Sequence, residues 1–92
     1  MQEIRSYKLA SVVARIADNK KANDISILNI SNVSVLADYF VIVSADTPVQ
    51  VKALTSAIRD KIKELFSRIP IGEEKDVKIR RNLMYYGDVF VH

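Results

Sequence analysis

The run Tyr39-Phe40-Val41-Ile42-Val43-Ser44 is apolar up to its last residue, and Thr47-Pro48-Val49-Gln50 follows almost at once. A continuous apolar run of strand length fits a strand buried on both faces, which places it centrally in a helix-flanked sheet. The second stretch is a helix start. The Thr47 hydroxyl can accept from the Gln50 amide, Pro48 needs no donor at the first helical position, and the Gln50 side chain can reach back. A buried strand that turns into a capped helix points to an α/β domain.

The flanking segments extend this order. Ile4, Leu9, Val12, Val13 and Ile16 recur at helical spacing, predicting a helix over 3–18 with a polar exit at Asp18-Asn19-Lys20-Lys21. Residues 24–30, Asp-Ile-Ser-Ile-Leu-Asn-Ile, are rich in β-branched side chains and read as a strand apolar on most of both faces. After Thr47, the stripe Val51, Leu54, Ala57, Ile58, Ile62, Leu65 and Ile69 carries a helix toward Pro70, which ends it. Residues 71–75 are polar, with Gly72 expected to bend the chain, and Val77-Lys-Ile-Arg-Arg81 reads as a short, charged edge strand. Strand-like residues on both sides of Tyr86-Gly87-Asp88 predict a hairpin turn in which Gly87 supplies a positive φ. The expected order is α-β-β-α-β-β around a mixed sheet, in one domain over 1–92. A chain of 92 residues holds one core and little else.

Equipment for catalysis is sparse. The one histidine is His92, there is no cysteine, and the only glycines are Gly72 and Gly87. Histidine–carboxylate nucleophile activation, a zinc site, a P-loop and a dinucleotide-binding turn therefore have no sequence support. Asp38 and Asp46 bracket the central strand, about 20 Å or more apart at ~3.3 Å per residue, too far to share a metal or a proton. Asp38 is read as satisfying backbone donors, Asp46 as serving the helix start and Asp88 as shaping the turn. No catalytic residue, metal ligand or cofactor is assigned. The net charge of +3 is a mild excess, and no run approaches the ~20 apolar residues that span a bilayer. The expectation is a soluble cytoplasmic protein that is not an enzyme.

Four stretches, in order, carry a more specific signal: Lys21-Ala22-Asn23-Asp24-Ile25, Ala37-Asp38-Tyr39-Phe40-Val41-Ile42, Ser44 with Gln50-Val51-Lys52, and Tyr86-Gly87-Asp88-Val89 leading to Val91-His92. Together they resemble the Iojap family, the ribosomal silencing factors, over about residues 20–92. The resemblance implies a small α/β fold related in shape to nucleotidyltransferases, without established catalytic activity. It further implies binding to the large ribosomal subunit through its protein L-fourteen, obstruction of subunit joining, repression of translation, and homodimers. The chain departs from the family pattern at Arg81, where a tryptophan is common, at Tyr85, where an aspartate is usual, and at Val49, where arginine is usual. It also lacks the family's usual C-terminal tail after His92.

On this resemblance the ribosomal patch is expected on the exposed side of the last hairpin and the adjoining strand. Leu83, Tyr85 and Tyr86 would be apolar anchors, and Asp38 and Asp88 would meet basic groups. Two other readings compete. A nucleotidyltransferase-like enzyme would need a Gly-Ser helix start and paired aspartates, whereas this corner reads Ser44-Ala-Asp-Thr-Pro48. An RNA-binding module of ribosome biogenesis would use Lys75, Lys78, Arg80 and Arg81 with Tyr85 and Tyr86 for stacking; in the main reading nucleic-acid contact is incidental.

Overall fold

A computed structural model describes residues 2–35, 37–76 and 81–92. Helix α1 spans Gln2–Asn19, strand β1 Asp24–Asn29, β2 Tyr39–Ser44, helix α2 Pro48–Phe66, β3 Gly72–Asp76, β4 Arg81–Tyr85 and β5 Val89–Val91. The strands form one sheet in the order β1-β2-β5-β4-β3. Only the β2–β5 pair is parallel; the other three are antiparallel. The α/β class and the mixed sheet are as the sequence predicts.

Both helices lie on one face. Leu9, Ala10 and Val13 of α1 and Ile58 and Ile62 of α2 share a buried cluster with Tyr39 and Val41 of β2, Met84 of β4 and Val89 and Val91 of β5. Because side chains alternate along a strand, Phe40 and Ile42 point the other way, to a face that no described helix covers. The central strand is therefore buried on one face, and its apolar run is only half explained by the core. β1 differs from expectation in the same sense. It is an edge strand, and its Ile27 and Leu28 are 37% and 47% exposed.

Two boundaries move. Helix α2 stops at Phe66, where Ser67 takes a left-handed conformation (φ 56°) and its N–H donates to the Lys63 carbonyl. Leu65 and Ile69, assigned to the buried stripe from sequence, are exposed. The polar segment expected to bend at Gly72 is instead β3, a strand that the sequence reading did not place there. Its charged composition hides it from a hydrophobic pattern, since an outer strand need bury little. The edge strand expected over 77–81 falls mainly outside the described residues; Arg81 opens β4.

The local signals form as read. Thr47 caps α2 by accepting from Gln50 N at 3.1 Å, with Pro48 in the first turn. Gln50 accepts from Asp46 N at 3.1 Å and donates to the Lys21 carbonyl at 3.3 Å, tying the helix start to the exit of α1. Asn23 donates to the Asp46 carboxylate. The polar groups of this corner are thus spent on holding the chain's turns together. At the other end, Gly87 has φ 94°, and Tyr86 N donates to the Val89 carbonyl at 2.9 Å to close the hairpin.

Candidate partner-docking site

Pleating sorts the residues of the uncovered face. On β1 and β2 the register sets Leu28 opposite Phe40 and Ser26 opposite Ile42. On β4 and β3 it sets Leu83 opposite Glu74 and Tyr85 opposite Gly72. Paired residues point to the same side, so Leu28, Phe40, Ile42, Leu83 and Tyr85 share the face away from the helices. β5 runs between the two groups, and the His92 ring meets Phe40 edge-on with centroids 5.8 Å apart. Ile42 is 37% exposed and Leu83 and Tyr85 are half-buried. Apolar side chains therefore lie along the sheet with the exposed carboxylate of Glu74 beside Leu83.

The five residues expected at a partner contact divide. Leu83 and Tyr85 lie on this face. Tyr86 does not: it is 1% exposed, packed in the core, with the Arg68 guanidinium 5.9 Å from its ring centre. It follows the last residue of β4 and turns inward, so it cannot serve as a surface anchor in this fold. Asp88 is also buried and engaged. Arg68 donates to both its carboxylate oxygens, at 2.7 and 3.3 Å, and also to the Tyr86 carbonyl. Asp38 stands beside it. Ser6 Oγ lies 2.8 Å from Asp38 Oδ2 and 3.0 Å from Asp88 Oδ2, so its single proton serves one carboxylate at a time.

This cluster joins four parts of the chain that are far apart in sequence: α1, the entry to β2, the segment after α2, and the hairpin turn. The main chain adds to the join, the Asp88 carbonyl accepting from Asp38 N at 2.8 Å. Burial pushes the Asp88 carboxyl upward, but the Arg68 and Ser6 hydrogen bonds and the Arg68 charge outweigh it and hold the group below its ordinary value. Burial likewise drives the Tyr86 phenol up to about 12. Its hydroxyl is buried without a hydrogen-bond partner among the described residues. Among those residues no group of three or more His, Cys, Asp or Glu side chains is arranged to hold a metal ion.

Sequence reasoning missed Leu28, Phe40, Ile42 and Glu74. The continuous run at 39–44 concealed which alternate residues face outward, and Glu74 lay in a segment not read as a strand.

Fold and face define the class first: a small α/β protein with helices on one side of a mixed sheet and apolar side chains on the other. Comparison with known proteins then specifies it. The family described as "Ribosomal silencing factor during starvation" matches residues 3–92. The chain is 33% identical over 84 residues to Ribosomal silencing factor RsfS of Bacillus subtilis, covering 91% of this chain and 70% of that protein. It is 31% identical over 80 residues to the chloroplastic protein Iojap of Zea mays, covering 87% of this chain and 34% of that one. A crystal structure of a Chromobacterium violaceum protein superposes with a TM-score of 0.82 at 29% identity, covering 100% of this chain and 73% of that one. A Bacillus halodurans protein gives 0.73 at 28% identity, covering 100% and 80%. The chain belongs to the ribosomal silencing factor family, as the four sequence stretches implied. Among the described residues no helix is long and apolar enough to cross a membrane.

Proposed function

We propose that this protein silences ribosomes by seating its uncovered sheet face on the large subunit, at protein L-fourteen, so that the small subunit cannot join. It works in the cytoplasm as a steric repressor of translation, without a chemical step, and associates with itself as well. The observation that carries this reading is the placement of Leu28, Phe40, Ile42, Leu83 and Tyr85 on the face opposite both helices. Apolar and aromatic side chains on a rigid sheet supply contact area at low conformational cost, and a few such anchors dominate most interfaces. Glu74 takes over the acidic role that sequence reasoning gave to Asp38 and Asp88, whose carboxylates are used inside the molecule.

The test is cosedimentation with purified ribosomal subunits. The protein should travel with the large subunit alone, and Leu83→Ala combined with Tyr85→Ala should weaken retention about 30-fold, or about 2 kcal/mol. Neither side chain is in the helix-covered core, so the double variant should keep its fold by circular dichroism. Unchanged retention of the folded variant would remove the sheet face from the contact. Depletion of L-fourteen from the subunits should have the same effect as the double substitution. Binding instead to naked ribosomal RNA with steep salt dependence would transfer the reading to an RNA module.

A further inference from the structure

We propose that Arg68 is a positioning residue for the docking face: it fixes the turn at 86–88 and, through that turn, the direction in which Tyr85 leaves β4. The inference rests on the sheet-face reading above and adds to it a residue from the segment after α2. Its support is the path of that segment. The left-handed Ser67 ends the helix, and the chain then meets the hairpin. The Arg68 guanidinium donates to the Tyr86 carbonyl and to both Asp88 carboxylate oxygens, at 2.7 and 3.3 Å for the latter. Ile71 N donates to the Tyr85 carbonyl at 2.7 Å. The Ile71 side chain also lies against the turn, with Cδ1 3.1 Å from where a Cβ on Gly87 would stand.

These contacts bear on Tyr85 because peptide groups are planar. The Tyr85 carbonyl belongs to the peptide before Tyr86, and the Tyr86 carbonyl to the peptide after it. Holding both planes sets the torsions of Tyr86 and the ψ of Tyr85, and with them the angle at which the Tyr85 side chain stands off the sheet. The sheet itself contributes less here than elsewhere. β4 and β5 pair only briefly, Met84 with Val91 and Tyr85 with Phe90. The partner of Tyr85 on β3 is Gly72, which has no side chain to offer, so on that side the main chain sets the ring's direction. Arg68 suits the task chemically. Its planar fork spans a carboxylate and a carbonyl at once, whereas a lysine ammonium keeps the charge without that geometry.

The test is Arg68→Lys in the full chain, read in two ways. In the free protein, the Tyr85 ring signals should shift in proton NMR while those of Phe40, on β2, stay in place. In large-subunit cosedimentation, the folded variant should lose about fivefold in retention. Combined with Tyr85→Ala, the same substitution should cost less than about 1.5-fold more, because the side chain it aims is gone; combined with Leu83→Ala, it should keep its effect of about fivefold. Asp88→Asn, which removes the charge from the other side of the pair and keeps its shape, should reproduce this pattern and serves where Arg68→Lys folds poorly. Unmoved Tyr85 signals, unchanged retention, or an equal loss in the Tyr85→Ala background would overturn the positioning role. If Tyr85→Ala itself binds as the wild type does, the sheet-face contact at Tyr85 falls, and the ring signals of the free protein still decide whether Arg68 directs that residue.

Discussion

Tyr85 and Tyr86 are neighbours of identical chemistry with opposite fates. Tyr85 ends β4 and lies half-buried on the face away from the helices, and Tyr86 sits in the core, its hydroxyl without a hydrogen-bond partner among the described residues. One lies on the uncovered face of the sheet and the other is packed in the core. The difference comes from their position relative to the pleat and the hairpin turn, and nothing in the side chains themselves decides it. It teaches that a family-like motif such as Tyr-Gly-Asp mixes surface and structural residues, which only the direction of each strand separates.

The contrast breaks most directly at the core. Tyr86→Ala should cost about 3–5 kcal/mol in chemical denaturation. Tyr85→Ala should cost less than about 1 kcal/mol. Equal losses would mean that the two faces are not distinct. Next comes the clamp that fixes the turn. Arg68→Met leaves Asp88 buried without its cation and should cost about 2 kcal/mol, less than for a fully buried pair because Arg68 is one-third exposed. The pH dependence follows from the sign of the shift. Asp88 has a depressed folded value, so its contribution is complete above the unfolded carboxylate range, near 4, and is lost as pH falls through the folded value. The gap between wild type and Arg68→Met should therefore be full at pH 6 and narrow in acid; a constant gap would show that Arg68 acts by packing alone.

Smaller effects sharpen the same comparison. Gly87→Ala forces a side chain into φ 94° and brings its Cβ to 3.1 Å from Ile71 Cδ1. A loss of about 1–2 kcal/mol is expected in thermal unfolding, together with weaker large-subunit binding if the turn aims Tyr85. Tyr86→Phe reverses the sign. Removing a buried hydroxyl that has no partner among the described residues should be neutral or stabilising by up to about 1 kcal/mol, and a clear destabilisation would reveal a hydrogen bond to that oxygen.

What could be read from the sequence was local. The Thr47–Gln50 cap, Pro48 and the Gly87 turn each depend on a few adjacent residues, and each forms as read. Face and edge assignments depend on partners far along the chain, and these are where the reading went astray. β1 looked like a strand buried on both sides because Ile25, Ile27, Leu28 and Ile30 give no hint that, among the described strands, β2 alone pairs with it. β3 carried no apolar pattern, and α2 ended early because Ser67 adopts a left-handed cap that no glycine announced. At the candidate site, Leu83 and Tyr85 were expected from the resemblance, and both lie on the uncovered face. Phe40 and Ile42 were hidden inside an apolar run, and Arg68 was invisible until the fold brought it to Asp88.

The insertion of β5 between β2 and β4 bears on how the molecule is born. β5 is the last of the five strands to be synthesised, yet it is the seam between the β1–β2 pair and the β3–β4 pair. Until it clears the exit tunnel, two half-sheets wait with no common strand to join them, and the continuous face cannot assemble. The uncovered face is thus completed by the last of the described strands to be made.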